Sequence, residues 1–300
     1  MNRASGARAR TGPPEAVAML PNLVTLLALA CGLTAIREAL AGNYRMVILL
    51  LVAEAILDGM DGRLARALGA TSGMGEQLDS LCDAIGFGVA PAMVVYSLIH
   101  PHAHGGVGAL AWFAALFYAC TIVLRLARFN TLIDDHTLPL YHKEFFVGVP
   151  APAAAWLVLA PVLAYQAFGH GWWSNIWVCS AWLLVVGVLA FSRLPTYSAK
   201  TVKVTKRFAP VLLLVAVVLI AGLFTFLYPT ILIVLLVYLC HIPFAVRRFV
   251  WLSHHPEAWE SVGYRIPRRH RGRPRFPRRA SATPRTGRVR GGRGHRPSLH

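Results

Sequence analysis

Asp58, Asp61, Asp79 and Asp83 are the residues of this chain whose type and spacing fit chemistry. Of 13 acidic residues in 300, six (Glu54, Asp58, Asp61, Glu76, Asp79 and Asp83) fall between positions 54 and 83. Asp58 and Asp61 are three apart and share one face of a helix. Asp79 and Asp83 are four apart and share a face of the next. Gly69, Gly73 and Gly75, with Thr71 and Ser72, read as a short turn between them. Two adjacent helices would then aim four carboxylates at one point.

Such a cluster is costly if left alone. An Asp at the centre of a membrane span costs about 2.5–3.5 kcal/mol on insertion scales, before mutual repulsion is counted. Protonation relieves the cost, and so does a hard divalent cation; carboxylate oxygens suit Mg²⁺ or Mn²⁺ and not soft metals. Ions held by a few carboxylates keep positions open for substrate phosphates. The pattern points to metal-dependent phosphoryl transfer at a membrane face. Gly62 and Ala65 let a helix or a flat ligand come close. Arg66, one turn after Gly62, is placed to neutralise a carboxylate or meet a phosphate. Intramembrane acids also serve proton relays and cation-coupled transporters. A transporter is expected to carry an internal repeat with matching broken helices, and the aspartate pattern has no second copy.

The elements that must position these residues are membrane helices. The chain is 56% hydrophobic and 14% charged, against about 25% charged in a soluble domain. Apolar stretches near the length of a bilayer span cover 19–41, 46–68, 76–99, 107–129, 147–168, 174–192, 208–227 and 229–249. The expected fold is all-α: a polytopic bundle of about eight transmembrane helices. The second and third spans are the weakest on hydropathy because they carry the aspartates. Before the tail, one side of the membrane collects 13 Lys and Arg and the other only Arg37 and Arg45, which places both termini in the cytoplasm. A cleaved signal peptide is the competing reading of the first span, with Arg3, Arg8 and Arg10 as its basic region and Ala39-Leu40-Ala41 as a cleavage-like site. Cleavage would leave seven spans and spoil the alternation of basic loops. Pro150 and Pro152 read as helix-start residues.

The five cysteines are scattered through the apolar segments with no Cys-x-x-Cys pair, as small buried residues are. The chain divides into a basic N-terminal segment (1–18), a transmembrane domain (19–250) and a basic Arg, Gly and Pro-rich tail (251–300) expected to be disordered. From Arg247 onward the sequence holds 15 of the 30 basic residues. An Arg-Gly-rich segment suits nucleic acid. Attached to a membrane domain, it fits anionic lipid better, and no specific nucleic acid is expected.

The pattern Asp58-x-x-Asp61-Gly62-x-x-Ala65-Arg66, eight residues, then Gly75-x-x-x-Asp79-x-x-x-Asp83 resembles the signature of the CDP-alcohol phosphotransferase family, with its eight fixed residues present over 26 positions. The resemblance implies that Asp58, Asp61, Asp79 and Asp83 bind two divalent ions, Mg²⁺ or Mn²⁺. It implies that these ions, with Gly62, Ala65, Arg66 and Gly75, hold the pyrophosphate of a CDP-linked lipid. An alcohol then attacks the β-phosphorus and CMP leaves, with Asp83 as general base as well as ligand.

Other stretches bear on the alcohol. "LPNLVTLLALACG" (20–32), "DSLCDAIGFGVAPAMVVY" (79–96), "RLARFN" (125–130), "FVGVPAPAAA" (146–155) and "SRLPTYSAK" (192–200) resemble the bacterial phosphatidylserine synthase branch. That branch often has Asn where this chain has Ala28, and Ser where it has Gly86. The resemblance runs from about residue 20 to about residue 250. It implies phospholipid synthesis from CDP-diacylglycerol and L-serine, in a homodimer of the inner (cytoplasmic) membrane whose active site faces the cytoplasm. The same chemistry with glycerol 3-phosphate, inositol phosphate or choline is the alternative. Serine brings a carboxylate, so its pocket is expected to offer a cation. Arg125, Arg128, Lys143 and Arg193 lie on the right side, and Arg128 with Asn130 is favoured. Arg125, one turn before, also reads as a snorkelling membrane anchor.

Overall fold

The apolar runs fold as helices whose limits are set by proline, glycine and capping side chains. A computed structural model describes residues 17, 19–102, 105–133, 145–192, 195–197 and 209–254. Helix α1, Leu20–Leu40, carries Pro21 in its first turn, where a missing N–H costs nothing. It runs out at Gly42, whose φ of 77° reverses the chain. Helix α2, Tyr44–Leu68, starts on the Asn43 side chain and stops at Gly69 in the left-handed conformation, φ 63°. The Ser72 hydroxyl then accepts from the Gly75 amide at 3.1 Å and opens α3, Gly73–Asp83. Gly73 and Gly75, expected in the turn, therefore belong to the first turn of α3. The cap at Ser72 starts the helix earlier than glycine content implies.

Helix α3 passes into a π-helical segment, Ala84–Val89, and on into α4, Ala90–Ile99. Helix α5 is Gly105–Ile133. Strand β1, Phe145–Val147, pairs antiparallel with β2, Pro195–Tyr197, in the register Phe146 to Thr196. This short pair is the one departure from an all-helical reading among the described residues. Helices α6, Ala151–Val158, and α7, Ala160–Phe168, form one span broken before Pro161, whose ring cannot continue the ladder. Pro150 caps α6 and Pro152 lies in its first turn. Helices α8, Ile176–Phe191, α9, Ala209–Thr225, and α10, Leu227–His254, complete the bundle.

Five of these segments are long and apolar enough to cross a membrane: Leu20–Leu40, Gly73–Ile99, Gly105–Thr131, Ala151–Phe168 and Leu227–Trp251. Helix α2 is long enough, but Arg45, Glu54, Asp58, Asp61, Arg63 and Arg66 lower its hydropathy. The chain is an all-α, multi-pass membrane helix bundle. Its core is built on Ile48, Ile99, Tyr118, Ile122, Leu157, Leu163 and Leu183, all fully buried. Helix α1 packs along α2, and α5 along α8. Helix α9 packs on α10 and buries no residue, as suits a helix apolar on every side.

Helix α5 also braces the π segment. Tyr118 donates its hydroxyl hydrogen to the Phe87 carbonyl at 2.9 Å, and Ile122 lies 3.4 Å from where Gly88 would carry a Cβ. All five cysteines are free. Lys143, Arg193, residues 1–16 and the tail from residue 255 lie outside the described residues.

Candidate active site

The end of α2 and the start of α3 meet across the turn at residues 69–72, so the aspartates of both helices converge. Carboxylate oxygens of Asp58, Asp61 and Asp79 lie within 4.8 Å of one another. Asp61 is buried, while Asp58 and Asp79 are half-buried. No salt bridge neutralises the three among the described residues. An all-oxygen donor set of this kind, short of cations, fits a hard divalent ion. Asp83 sits outside that trio, with its carboxyl group against the Asp58 side chain. The arrangement is three carboxylates at one focus with a fourth bonded to their edge.

Asp61 is held by two donors. The Thr25 hydroxyl of α1 reaches Oδ2 at 2.6 Å, and the Gly62 amide reaches Oδ1 at 2.5 Å. Hydrogen bonds of this kind fix the orientation of a ligating carboxylate. Thr25 is a functional candidate that sequence reasoning missed. It lies in the apolar run of residues 20–32, and nothing in the spacing of that run points at α2.

A cavity of about 190 Å³ opens beside the aspartates. Asp61, Asp79, Gly62, Ala65, Arg66 and Gly75 line it, together with Asn22, Thr25, Ser72 and Glu76. Six of the eight signature residues thus share one cavity, and Asp58 and Asp83 are not in its lining. Gly62 and Gly75 contribute differently. A Cβ at Gly62 would meet nothing nearer than Arg66 Nη1 at 3.9 Å, so internal packing does not require glycine there. A Cβ at Gly75 would lie 3.0 Å from Asn22 Oδ1 and 3.2 Å from Ser72 Oγ, so those two side chains would have to give by a few tenths of an ångström.

Glu54, one turn before Asp58 on α2, is only 4% exposed. Its carboxylate fits between two glycines. A Cβ at Gly32 of α1 would lie 2.9 Å from Oε1, and a Cβ at Gly86 of the π segment would overlap that oxygen. The absence of serine at position 86 has its physical reason here, because the Glu54 side chain takes that space.

The three acceptor-side residues lie at the end of α5 but do different things. Arg125 is 6% exposed and donates Nε–H to the Val149 carbonyl at 2.7 Å. It is close enough to Asp83 for the two charges to interact, and its Nη groups make no hydrogen bond among the described residues. Arg128 donates to the Phe191 and Ser192 carbonyls at 3.0 and 3.3 Å and stacks on the Phe191 ring. It thereby caps the carboxyl end of α8. Asn130 donates to Ser80 Oγ of α3 at 3.0 Å, beside Asp79. Arg125 is thus tied to the Val149 carbonyl within electrostatic reach of Asp83, while Arg128 and Asn130 fasten α5 to its neighbours.

Comparison with known proteins agrees with this geometry. The sequence profile of the CDP-alcohol phosphatidyltransferases matches residues 18–191. The chain is 45% identical over 242 residues to the CDP-diacylglycerol–serine O-phosphatidyltransferase of Mycobacterium leprae, an alignment covering 81% of this chain and 79% of that protein. It is 42% identical over 263 residues to the protein of the same name in Mycobacterium bovis, covering 87% and 88%. It is 35% identical over 191 residues to that of Helicobacter pylori, covering 64% and 77%. With six of its eight signature residues lining one cavity, the chain belongs to the CDP-alcohol phosphatidyltransferase family.

Proposed function

We propose that the chain transfers the phosphatidyl group of CDP-diacylglycerol to the hydroxyl of L-serine, giving phosphatidylserine and CMP. The observation that carries this is the cavity in which Asp61, Asp79, Gly62, Ala65, Arg66 and Gly75 meet. The serine synthase names of the relatives support the choice of acceptor.

Each residue has a physical task. Asp58, Asp61, Asp79 and Asp83 would hold two divalent ions, Mg²⁺ or Mn²⁺. When bound, such ions neutralise the pyrophosphate and the charge that develops on the leaving oxygen. Gly62 and Ala65 leave room for the nucleotide, and Arg66 meets a phosphate. Asp83 accepts the serine hydroxyl proton as the bond from serine oxygen to the β-phosphorus forms and the bond to CMP breaks. Arg125, buried, within electrostatic reach of Asp83 and with Nη donors that make no hydrogen bond among the described residues, takes the serine carboxylate in a bidentate contact. Arg128 and Asn130 keep the end of α5 in register with α8 and α3.

The site works at the cytoplasmic face of the inner membrane. With α2, α8 and α9 crossing beside the five longer apolar segments, eight spans would return both termini to the side that the distribution of Lys and Arg favours. The enzyme acts as a homodimer, and its tail lies on anionic lipid. The test is an acceptor comparison in detergent with CDP-diacylglycerol and Mn²⁺ fixed. CMP is expected to appear with L-serine and not with glycerol 3-phosphate, inositol phosphate or choline. Equal release with glycerol 3-phosphate would reject serine as the acceptor.

A further inference from the structure

We infer that Glu54 binds the ammonium of the acceptor amino acid, as a carboxylate seat built one helical turn beyond the aspartates. The inference rests on the serine reading above and adds a residue to it.

Glu54 precedes Asp58 by four positions on α2, so it lies on the same face about 6 Å along the helix. Gly86 follows Asp83 by three residues on the neighbouring segment. The Glu54–Gly86 contact is thus the layer directly beyond the contact of Asp58 with Asp83.

Glu54 is 4% exposed and makes no hydrogen bond or ion pair among the described residues. Its electrostatic neighbours are Cys31 and Asp58, neither of them a cation. A buried carboxylate without a partner costs free energy, and inside a membrane it marks function rather than stability. Two helices give up their side chains to seat it. Gly32 and Gly86 both lack the Cβ that would strike its oxygen. Its oxygens are nonetheless absent from the fully enclosed, unpartnered polar atoms, so they keep contact with accessible space.

The acceptor's chemistry supplies what this seat lacks. Serine carries a hydroxyl, a carboxylate and an ammonium within a few ångströms. The hydroxyl belongs at Asp83. Arg125, on the α5 side of the π segment, takes the carboxylate. Glu54, on the α1–α2 side, is left facing the ammonium, and the buried pair completes its charge. Three fixed contacts around one carbon also select the L form.

The test uses the full-length enzyme and Glu54→Gln, which keeps shape and removes charge. The parent is expected to use L-serine at least about 100-fold better than 3-hydroxypropanoate, the same acceptor without its amine, because a site built around a polar group rejects the analogue that lacks it. In Glu54→Gln the KM for serine is expected to rise about 100-fold and the preference for serine over 3-hydroxypropanoate to collapse. The KM for CDP-diacylglycerol should stay within about two-fold, and Tm should equal or exceed that of the parent. Glu54→Asp should recover part of the preference.

An unchanged serine KM in Glu54→Gln overturns the assignment, and so does an equal loss for both substrates. Sodium dependence of the parent that vanishes in the variant overturns it in favour of a monovalent metal ion. Should Glu54→Gln fail to fold, the parent's use of the two acceptors decides, and parity between them overturns the assignment. A parent that forms no phosphatidylserine from serine rejects the functional reading itself, a separate result.

Discussion

The Thr25 hydroxyl of α1 lies 2.6 Å from Oδ2 of Asp61 on α2 and ties the first helix to the carboxylate trio. The two residues are 36 positions apart, both buried, and the bond orients the most enclosed of the three aspartates. Removing it while keeping shape, as Thr25→Val, leaves Asp61 oriented by the Gly62 amide alone. The divalent-ion concentration for half-maximal activity should rise about 10-fold or more, in line with other outer hydrogen bonds to ligating groups. The rate at saturating ion should change little. A Mn²⁺ titration of CMP release measures both.

Asp83→Asn tests the proton acceptor. An amide keeps the shape of the carboxylate and its contact with Asp58 but cannot take the serine proton. Turnover should fall by at least about 10²-fold, while CDP-diacylglycerol binding, read by calorimetry in detergent, stays close to that of the parent. A variant that keeps turnover removes Asp83 from that role.

Two glycines should behave in opposite ways. Gly62 has 3.9 Å of clearance to Arg66 Nη1 and lines the cavity. Gly62→Ala should therefore leave Tm within about 2 °C, a change below about 1 kcal/mol for a chain of this size, yet raise the KM for CDP-diacylglycerol. Gly148 has φ of 81°, and a Cβ there would stand 2.7 and 2.8 Å from the Ser192 and Ala190 carbonyl oxygens. Gly148→Ala should cost at least about 1–3 kcal/mol and lower Tm clearly. Thermal unfolding of the two variants side by side checks the contrast.

What can be read in the chain is what depends on neighbours in sequence. The spacing of Asp58 and Asp61, and of Asp79 and Asp83, reveals two carboxylate faces because helical period alone decides it. Five of the helical segments likewise fall where apolar runs reach the bilayer's thickness. Contacts between distant helices are not legible this way. Thr25 is one polar residue in an apolar run until α1 lies along α2. The bond from Arg128 to the carbonyl of Phe191, 63 residues later, is equally out of reach of local spacing. The π segment has no periodic signature. Glu54 acquires meaning only when Gly32 and Gly86 arrive from two other segments.

The most direct test of the central claim is the incorporation of isotope-labelled L-serine into lipid by the purified protein. With CDP-diacylglycerol and Mn²⁺ or Mg²⁺ present, label should enter phosphatidylserine and one CMP should form for each serine incorporated. Chelation by EDTA should stop both. Release of CMP without label in the lipid, or incorporation that continues under EDTA, would contradict the account.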